Sequence, residues 1–376
     1  MFCPKCGSKA ADDAVFCGNC GASLNRNASV AMNSGTPPSY PSYADGASTT
    51  KRPKSGKRKA PFIIAIVVVA IAVLTIICIS IVGGLSAPDS GNEIGERGLG
   101  GAESATAGRP GDASGVTVKD STEAYTWEEL SKISNEIAGA SDENAAIEVA
   151  KRYNLCSPEG KLDGTQVKSV VLSDGTQTAV QIAGFIHDDK TGGGKAGITF
   201  IFRDCIGNHI MNPESSSGWS INNGGWEDSQ MRSWLSTDGM ALLPGDLKEV
   251  VVSVDKLTNN SGKATSTSSV TKTSDSLWLF SVKELAGSYD WSVTKSDNDV
   301  LNAEGNKYKL FRDMNIRPGG ASAFLVKRNG GTVASWWNRS PNPHASTGFE
   351  AVNSAGWCDE AASSDSELGV VPGFCI

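Results

Sequence analysis

Between Lys59 and Asp89 the chain carries no charged residue, and Phe62 to Val82 is apolar almost without interruption. Those 21 residues would make a helix about 31 Å long, the thickness of a bilayer's hydrocarbon core. A helix apolar on every face over that length predicts a single membrane span at 61–85. Lys51, Arg52, Lys54, Lys57, Arg58 and Lys59 precede it, and Asp89 opens an acidic far side. The positive-inside rule then places the N-terminus in the cytoplasm and the C-terminal part outside the cell. The late start of the run and its length favour a retained anchor over a cleaved signal peptide.

Beyond residue 122 the periodicity becomes that of a folded body. Thr126 and Glu129 form a capping box, after which Trp127, Leu130, Ile133 and Ile137 share one helical face. A second helix is expected from Glu143 to Tyr153. Val167–Leu172 and Thr178–His187 then read as strands around the turn Ser173-Asp174-Gly175-Thr176. Gly197–Arg203, Val250–Leu257, Ser276–Phe280 and Leu368–Ile376 read as further strands. A short helix is expected over Glu227–Leu235, and Ser281 with Glu284 caps another. Ser322–Lys327 and Thr332–Trp337 flank Asn329-Gly330 as a hairpin. Short strands with short helices imply an α+β body over 123–376. Residues 25–60 and 86–122 lack periodicity and read as flexible linkers.

Charge sharpens this division. The net charge of −7 conceals nine Lys/Arg against three Asp in residues 1–60, a surplus of six positive charges, so the remainder carries −13. A nucleic-acid partner is not expected, because the acidic body would repel a phosphate backbone and residues 1–24 hold only Lys5 and Lys9 as basic groups.

Cys3 and Cys6 form one Cys-x-x-Cys, Cys17 and Cys20 another, each followed by glycine. Four thiolates are the usual set for tetrahedral structural zinc. Cys-Pro-Lys-Cys-Gly and Cys-Gly-Asn-Cys-Gly over residues 1–24 resemble the zinc-ribbon family, which implies Zn²⁺ as a structural cofactor; such ribbons bind protein or nucleic acid, and the scarcity of basic residues here favours a cytoplasmic protein partner.

Two stretches carry a second resemblance. Gly225-Trp226-Glu227-Asp228-Ser229-Gln230-Met231-Arg232-Ser233-Trp234-Leu235 is one, and Trp336-Trp337-Asn338-Arg339-Ser340-Pro341 with Gly369-Val370-Val371-Pro372-Gly373-Phe374 is the other. Together they are similar to a bacterial exported domain of unknown function, number 6273, over about 165–376. Asn338 and Val371 depart from that family's pattern, which has leucine and arginine there. The order of motifs also resembles the C-type-lectin-like and formylglycine-generating-enzyme-like superfold. The expected fold class is therefore multi-domain: a small zinc ribbon, a single transmembrane helix and an α+β extracellular domain of C-type-lectin-like form.

Cys156, Cys205, Cys358 and Cys375 allow three pairings, and disulfides are the default outside a reducing cytosol. The lectin-like resemblance favours Cys156–Cys375 with Cys205–Cys358; sequential pairing is the competitor. Calcium-dependent sugar binding is not expected, since Ser340-Pro341-Asn342 lacks the carboxylate of the lectin pattern. His187-Asp188-Asp189 reads as a solvated loop after a strand, with no second ligand cluster in the sequence. Gly192-Gly193-Gly194-Lys195 fails as a phosphate loop because Asp189 stands where glycine is needed and Ala196 where a hydroxyl is needed. No nucleophile elbow is present.

Trp219, Trp226, Trp336, Trp337 and Trp357, with Arg339, lie near Gly- and Asn-rich loops and are the candidate ligand-binding residues. The resulting expectation is a membrane-anchored protein whose outer domain binds a cell-surface glycan or protein. A tethered enzyme, or a sensor or scaffold coupling an outer ligand to a cytoplasmic partner, are the alternatives.

Overall fold

The computed structural model describes residues 114–215, 221–264, 266–288, 295–358 and 360–376. The zinc-ribbon cysteines Cys3, Cys6, Cys17 and Cys20, both linkers up to residue 113, the segment 61–85 and Trp219 lie outside them.

Two helices open the described chain. Helix α1 (Trp127–Ala138) carries the expected capping box, with Thr126 accepting from the Glu129 amide and Glu129 accepting from the Thr126 amide. It buries Trp127, Leu130, Ile133 and Ile137. Helix α2 (Glu143–Arg152) is capped by Asp142 and buries Ala146 and Ala150. The fold reaches back before them: Val116 is buried, and the Ser114 hydroxyl pairs with that of Tyr153 at 2.7 Å.

The strands are β1 (Val167–Val171), β2 (Gln177–Phe185), β3 (Ile198–Phe202), β4 (Asn208–His209), β5 (Val254–Asn259), β6 (Val270–Asp275), β7 (Trp278–Leu279), β8 (Lys327–Asn329), β9 (Thr332–Ala334), β10 (Trp336–Pro341), β11 (Gly348–Val352), β12 (Glu360–Ser363), β13 (Leu368–Gly369) and β14 (Pro372–Cys375). The main sheet runs β1-β2-β3-β14-β7, antiparallel throughout. A second sheet runs β12-β11-β10-β13-β4, with β10 parallel to β13. Hairpins β5-β6 and β8-β9 complete the set. Trp127, Phe200, Phe202 and Phe374 pack edge-to-face or offset where α1 covers the main sheet. Gly197 is what lets that helix approach: a Cβ there would lie 1.8 Å from the Ser134 carbonyl oxygen.

The structure corrects the expected fold class. Among the described residues no helix is long and apolar enough to cross a membrane, and the body is a mixed α/β, sheet-rich domain. The expected disulfides are also corrected. No disulfide joins Cys156, Cys205, Cys358 or Cys375; each thiol is buried in its own surroundings. Cys156 faces the Ile147 carbonyl, Cys205 packs on Gly369, Cys358 faces the Arg317 carbonyl, and Cys375 contacts Thr199 and Asp188. The argument for an oxidising compartment loses that support.

Several boundaries moved for identifiable reasons. The hairpin at Asn329-Gly330 is shorter than expected because Trp336 leaves it to pair with Val352 and Gly369. Leu368–Ile376 is not one strand: β13 belongs to the second sheet and β14 to the main one. The helix expected to end at Leu235 continues as a π-helical turn, Leu235–Gly239.

Candidate functional site

Between the main sheet, the β5-β6 hairpin and β10 lies a buried cluster of ionised side chains. At the end of β2, Ile186 adopts a positive φ of 43°, and the chain turns inward. The Ala196 amide donates to the Asp188 carbonyl, fixing the turn against the next strand. Asp188 therefore points into the core, where the Thr199 hydroxyl of β3 donates to its Oδ2 at 2.7 Å. This corrects the solvated-loop reading for Asp188, although Asp189 beside it is exposed and pairs with Lys195.

Lys256 comes from β5, whose inward phase is Val254, Lys256 and Thr258. Its Nζ lies 2.7 Å from Asp188 Oδ1 and 2.7 Å from Glu284 Oε1, and it donates to the Tyr308 hydroxyl at 2.8 Å. The Tyr308 hydroxyl in turn donates to both Asp188 oxygens, at 2.8 and 3.0 Å. The faces of Trp278 and Tyr308 flank the ammonium at 4.7 and 5.2 Å.

Glu284 is placed by the capping box of helix Val282–Ala286, where Ser281 is the N-cap. Arg339 of β10 grips it bidentately, NH2 lying 3.0 Å from Oε1 and NH1 closer still to Oε2. Arg339 spends its remaining donors on Thr258 Oγ1 and the carbonyls of Leu279, Leu257 and Glu304, so all of its nitrogens are engaged.

Glu304 is the third carboxyl of the group and is completely buried. Its partners are neutral donors: the Asn259 amide at 2.9 Å and the Ser340 hydroxyl. Burial pushes its pKa up to about 7, against the opposing pull of Arg339 and these hydrogen bonds. For Asp188 and Glu284 burial acts in the same direction, but the cations win. Lys256 and His187 hold Asp188 well below the usual carboxylate range, and Arg339 and Lys256 lower Glu284. His187, half-buried, stacks on Tyr308 with ring centroids 3.7 Å apart; burial lowers its pKa against the pull of Asp188.

The candidate ligand residues separate by burial. Trp226, Trp336, Trp337 and Arg339 are fully buried. Each indole has a structural partner: Trp226 donates to Asp275 Oδ2, Trp336 to the Leu325 carbonyl and Trp337 to the His209 carbonyl. An open platform of these residues is not assembled, because packing claims them first. Trp357 is the one among the described candidates that reaches solvent, at 39% exposure. Its turn is pinned: Asn353 Oδ1 accepts from the Ala355 and Trp357 amides, and the Asn353 amide donates to the Trp357 carbonyl. Gly356, at φ 85°, backs onto Ser322, whose amide donates to the Gly356 carbonyl. The buried Cys358 Sγ lies 3.9 Å from the Arg317 carbonyl, while the Arg317 guanidinium donates to Asn315 Oδ1.

Sequence reasoning missed Lys256, Glu284, Glu304 and Tyr308 as a group. A usable signal existed at one of them: Lys256 occupies the inward phase between Val254 and Thr258, where a lysine demands a buried counter-charge.

Residues 2–24 match the family model described as zinc-ribbon domain. Residues 197–376 match that described as domain of unknown function (DUF6273). No curated protein and no solved structure matches the chain, so the lectin-like likeness is without support. The matches fall on two separate stretches, residues 2–24 and residues 197–376, which hold the paired cysteine knuckles and the tryptophan-rich motifs.

Proposed function

We propose that residues 114–376 form a binding module for a cell-surface glycan or protein, contacted through Trp357. The observation that carries this reading is the pinned turn Asn353–Cys358, which holds an indole in water on a rigid backbone. Tryptophan is among the side chains that most often dominate binding energy, and a preformed turn lowers the ordering cost of a complex. Turnover is less well supported than binding. Asp188, Glu284, Lys256 and Arg339 lie below the surface and bond to one another, and the buried Glu304 carboxyl bonds Asn259 and Ser340.

For the N-terminal ribbon, the reading is one structural zinc held by Cys3, Cys6, Cys17 and Cys20. The donor chemistry fits: four thiolates complete a tetrahedral shell and leave no open position. So short a segment has little core of its own, and metal binding would supply its folding energy.

The test is a binding screen of the full chain against glycans, peptidoglycan and surface proteins, run beside Trp357→Ala. Saturable binding lost in the variant supports the reading; equal binding by both proteins refutes the patch. Metal analysis should find one zinc per chain, lost on Cys3→Ser; a zinc-free wild type refutes the ribbon assignment.

A further inference from the structure

The contacts of Lys256 go beyond those of an ordinary ion pair. Its amine is 2% exposed, touches two carboxylates at 2.7 Å, and is walled by two aromatic faces that keep water away. We infer that Lys256 and Asp188 condense into an intramolecular isopeptide bond, with Glu284 carrying protons and Tyr308 and Thr199 supporting the carboxyl oxygens. This inference is independent of the binding role argued above.

The reaction balances with the groups present. It begins from an ammonium and a carboxylate. Glu284 Oε1 takes one ammonium proton, and the freed amine attacks Asp188 Cγ, forming the C–N bond as the carbonyl electron pair moves onto oxygen. The Tyr308 and Thr199 hydroxyls already donate to those oxygens and stabilise the charge that builds there. A second nitrogen proton and the one held by Glu284 pass to the departing oxygen. The C–O bond breaks and water leaves. Two of the three ammonium protons depart with one carboxylate oxygen, and the third remains on the amide. Total charge stays at zero, and no oxidant, reductant or cofactor is required.

Two physical terms favour the condensation here although it does not occur in water. Fixed contact converts a bimolecular encounter into a unimolecular step. Burial has also stripped both ions of hydration, a cost that becoming a neutral amide removes. Charge balance selects the acceptor. After Lys256 joins Asp188, Glu284 and Arg339 remain a matched bidentate pair. Condensation with Glu284 instead would leave Asp188 and Arg339 as charges without their partners. The resulting bond would tie the turn after β2 to β5 across 68 residues, locking the β5-β6 hairpin onto the main sheet.

The experiment is intact-mass measurement of the denatured full chain, followed by tryptic mapping. The expected mass falls short of the sequence mass by one water. Trypsin should fail at Lys256 and release a branched species joining residues 169–190 to 249–263. Lys256→Arg and Glu284→Gln should both show the full mass. A wild-type chain at full mass and cleaved at Lys256 overturns the inference. So does a water loss that fragmentation places elsewhere, as at Asp174-Gly175 within the same peptide. Should either variant fail to fold, the wild-type map alone decides.

Discussion

Glu304 offers a quantitative test of the buried cluster. Asp188, Glu284 and Glu304 supply three carboxyls against two cations, Lys256 and Arg339, and the surplus of one, which condensation of Lys256 with Asp188 leaves unchanged, falls where only neutral donors reach. The folded pKa is about 7 against an ordinary 4.5. A raised pKa means that the folded state binds the extra proton between these values. Stability from this group is complete below pH 4.5 and declines as pH rises through 7. About 2.5 pKa units at ~1.36 kcal/mol each make the decline about 3 kcal/mol. Glu304→Gln fixes the neutral form: its amide oxygen can accept from Asn259 and its nitrogen can donate to Ser340. Urea unfolding from pH 5 to 8, followed by tryptophan fluorescence, reads the effect. All nine tryptophans lie at or beyond Trp127, so the signal reports the body and not the ribbon. The variant should exceed wild type by a little under about 1 kcal/mol at pH 5 and by about 3 kcal/mol at pH 8, with an unchanged denaturant slope. Parallel curves across that range, or a variant weaker at pH 8, would refute the assignment of the surplus proton to Glu304.

Other perturbations follow from the same contacts. Arg339→Met leaves Glu284 with a buried charge and should cost about 3–5 kcal/mol, seen as a fall in Tm and soluble yield. Gly197→Ala drives a methyl group into the Ser134 carbonyl and should cost about 1–3 kcal/mol by urea unfolding, where a neutral result would mean that α1 does not press on β3. Burial raises the Cys156 thiol to about 11 and the Cys205 thiol to about 12, and lifts Cys375 well above its ordinary value. At pH 8 these three should resist alkylation in the folded chain and react fully, without reductant, once it is unfolded; protection that survives unfolding would indicate disulfides.

What the sequence reveals about this fold depends on range. Both capping boxes, Thr126 with Glu129 and Ser281 with Glu284, are legible because each is closed within four residues. Alternation is legible in β1, whose burial pattern switches from residue to residue. It vanishes in β10, where Trp336 to Pro341 are buried on both faces. Arg339 there can be interior only because Thr258 and Glu284 come to it from 81 and 55 residues away. Asp188 was misread for a similar reason: nothing local announces the inward turn at Ile186 or the lysine 68 residues downstream. For the ligand candidates, the sequence places tryptophans near loops but does not say which indoles the interior will claim. That depends on carbonyl partners such as those of Leu325 and His209, contributed by other strands.

Strand β14 has a consequence for the order of folding. It lies between β3 and β7, and its Cys375 meets Thr199 across 176 residues of chain. During synthesis β1, β2 and β3 emerge as a three-stranded sheet with one flank bare, and β7 follows with no neighbour in that sheet to join. The insertion of residues 372–375 closes both gaps at once. A truncation before Pro372 would therefore divide the sheet in two rather than trim its edge, and the exposed flank of β3 would be an edge prone to pairing with other chains.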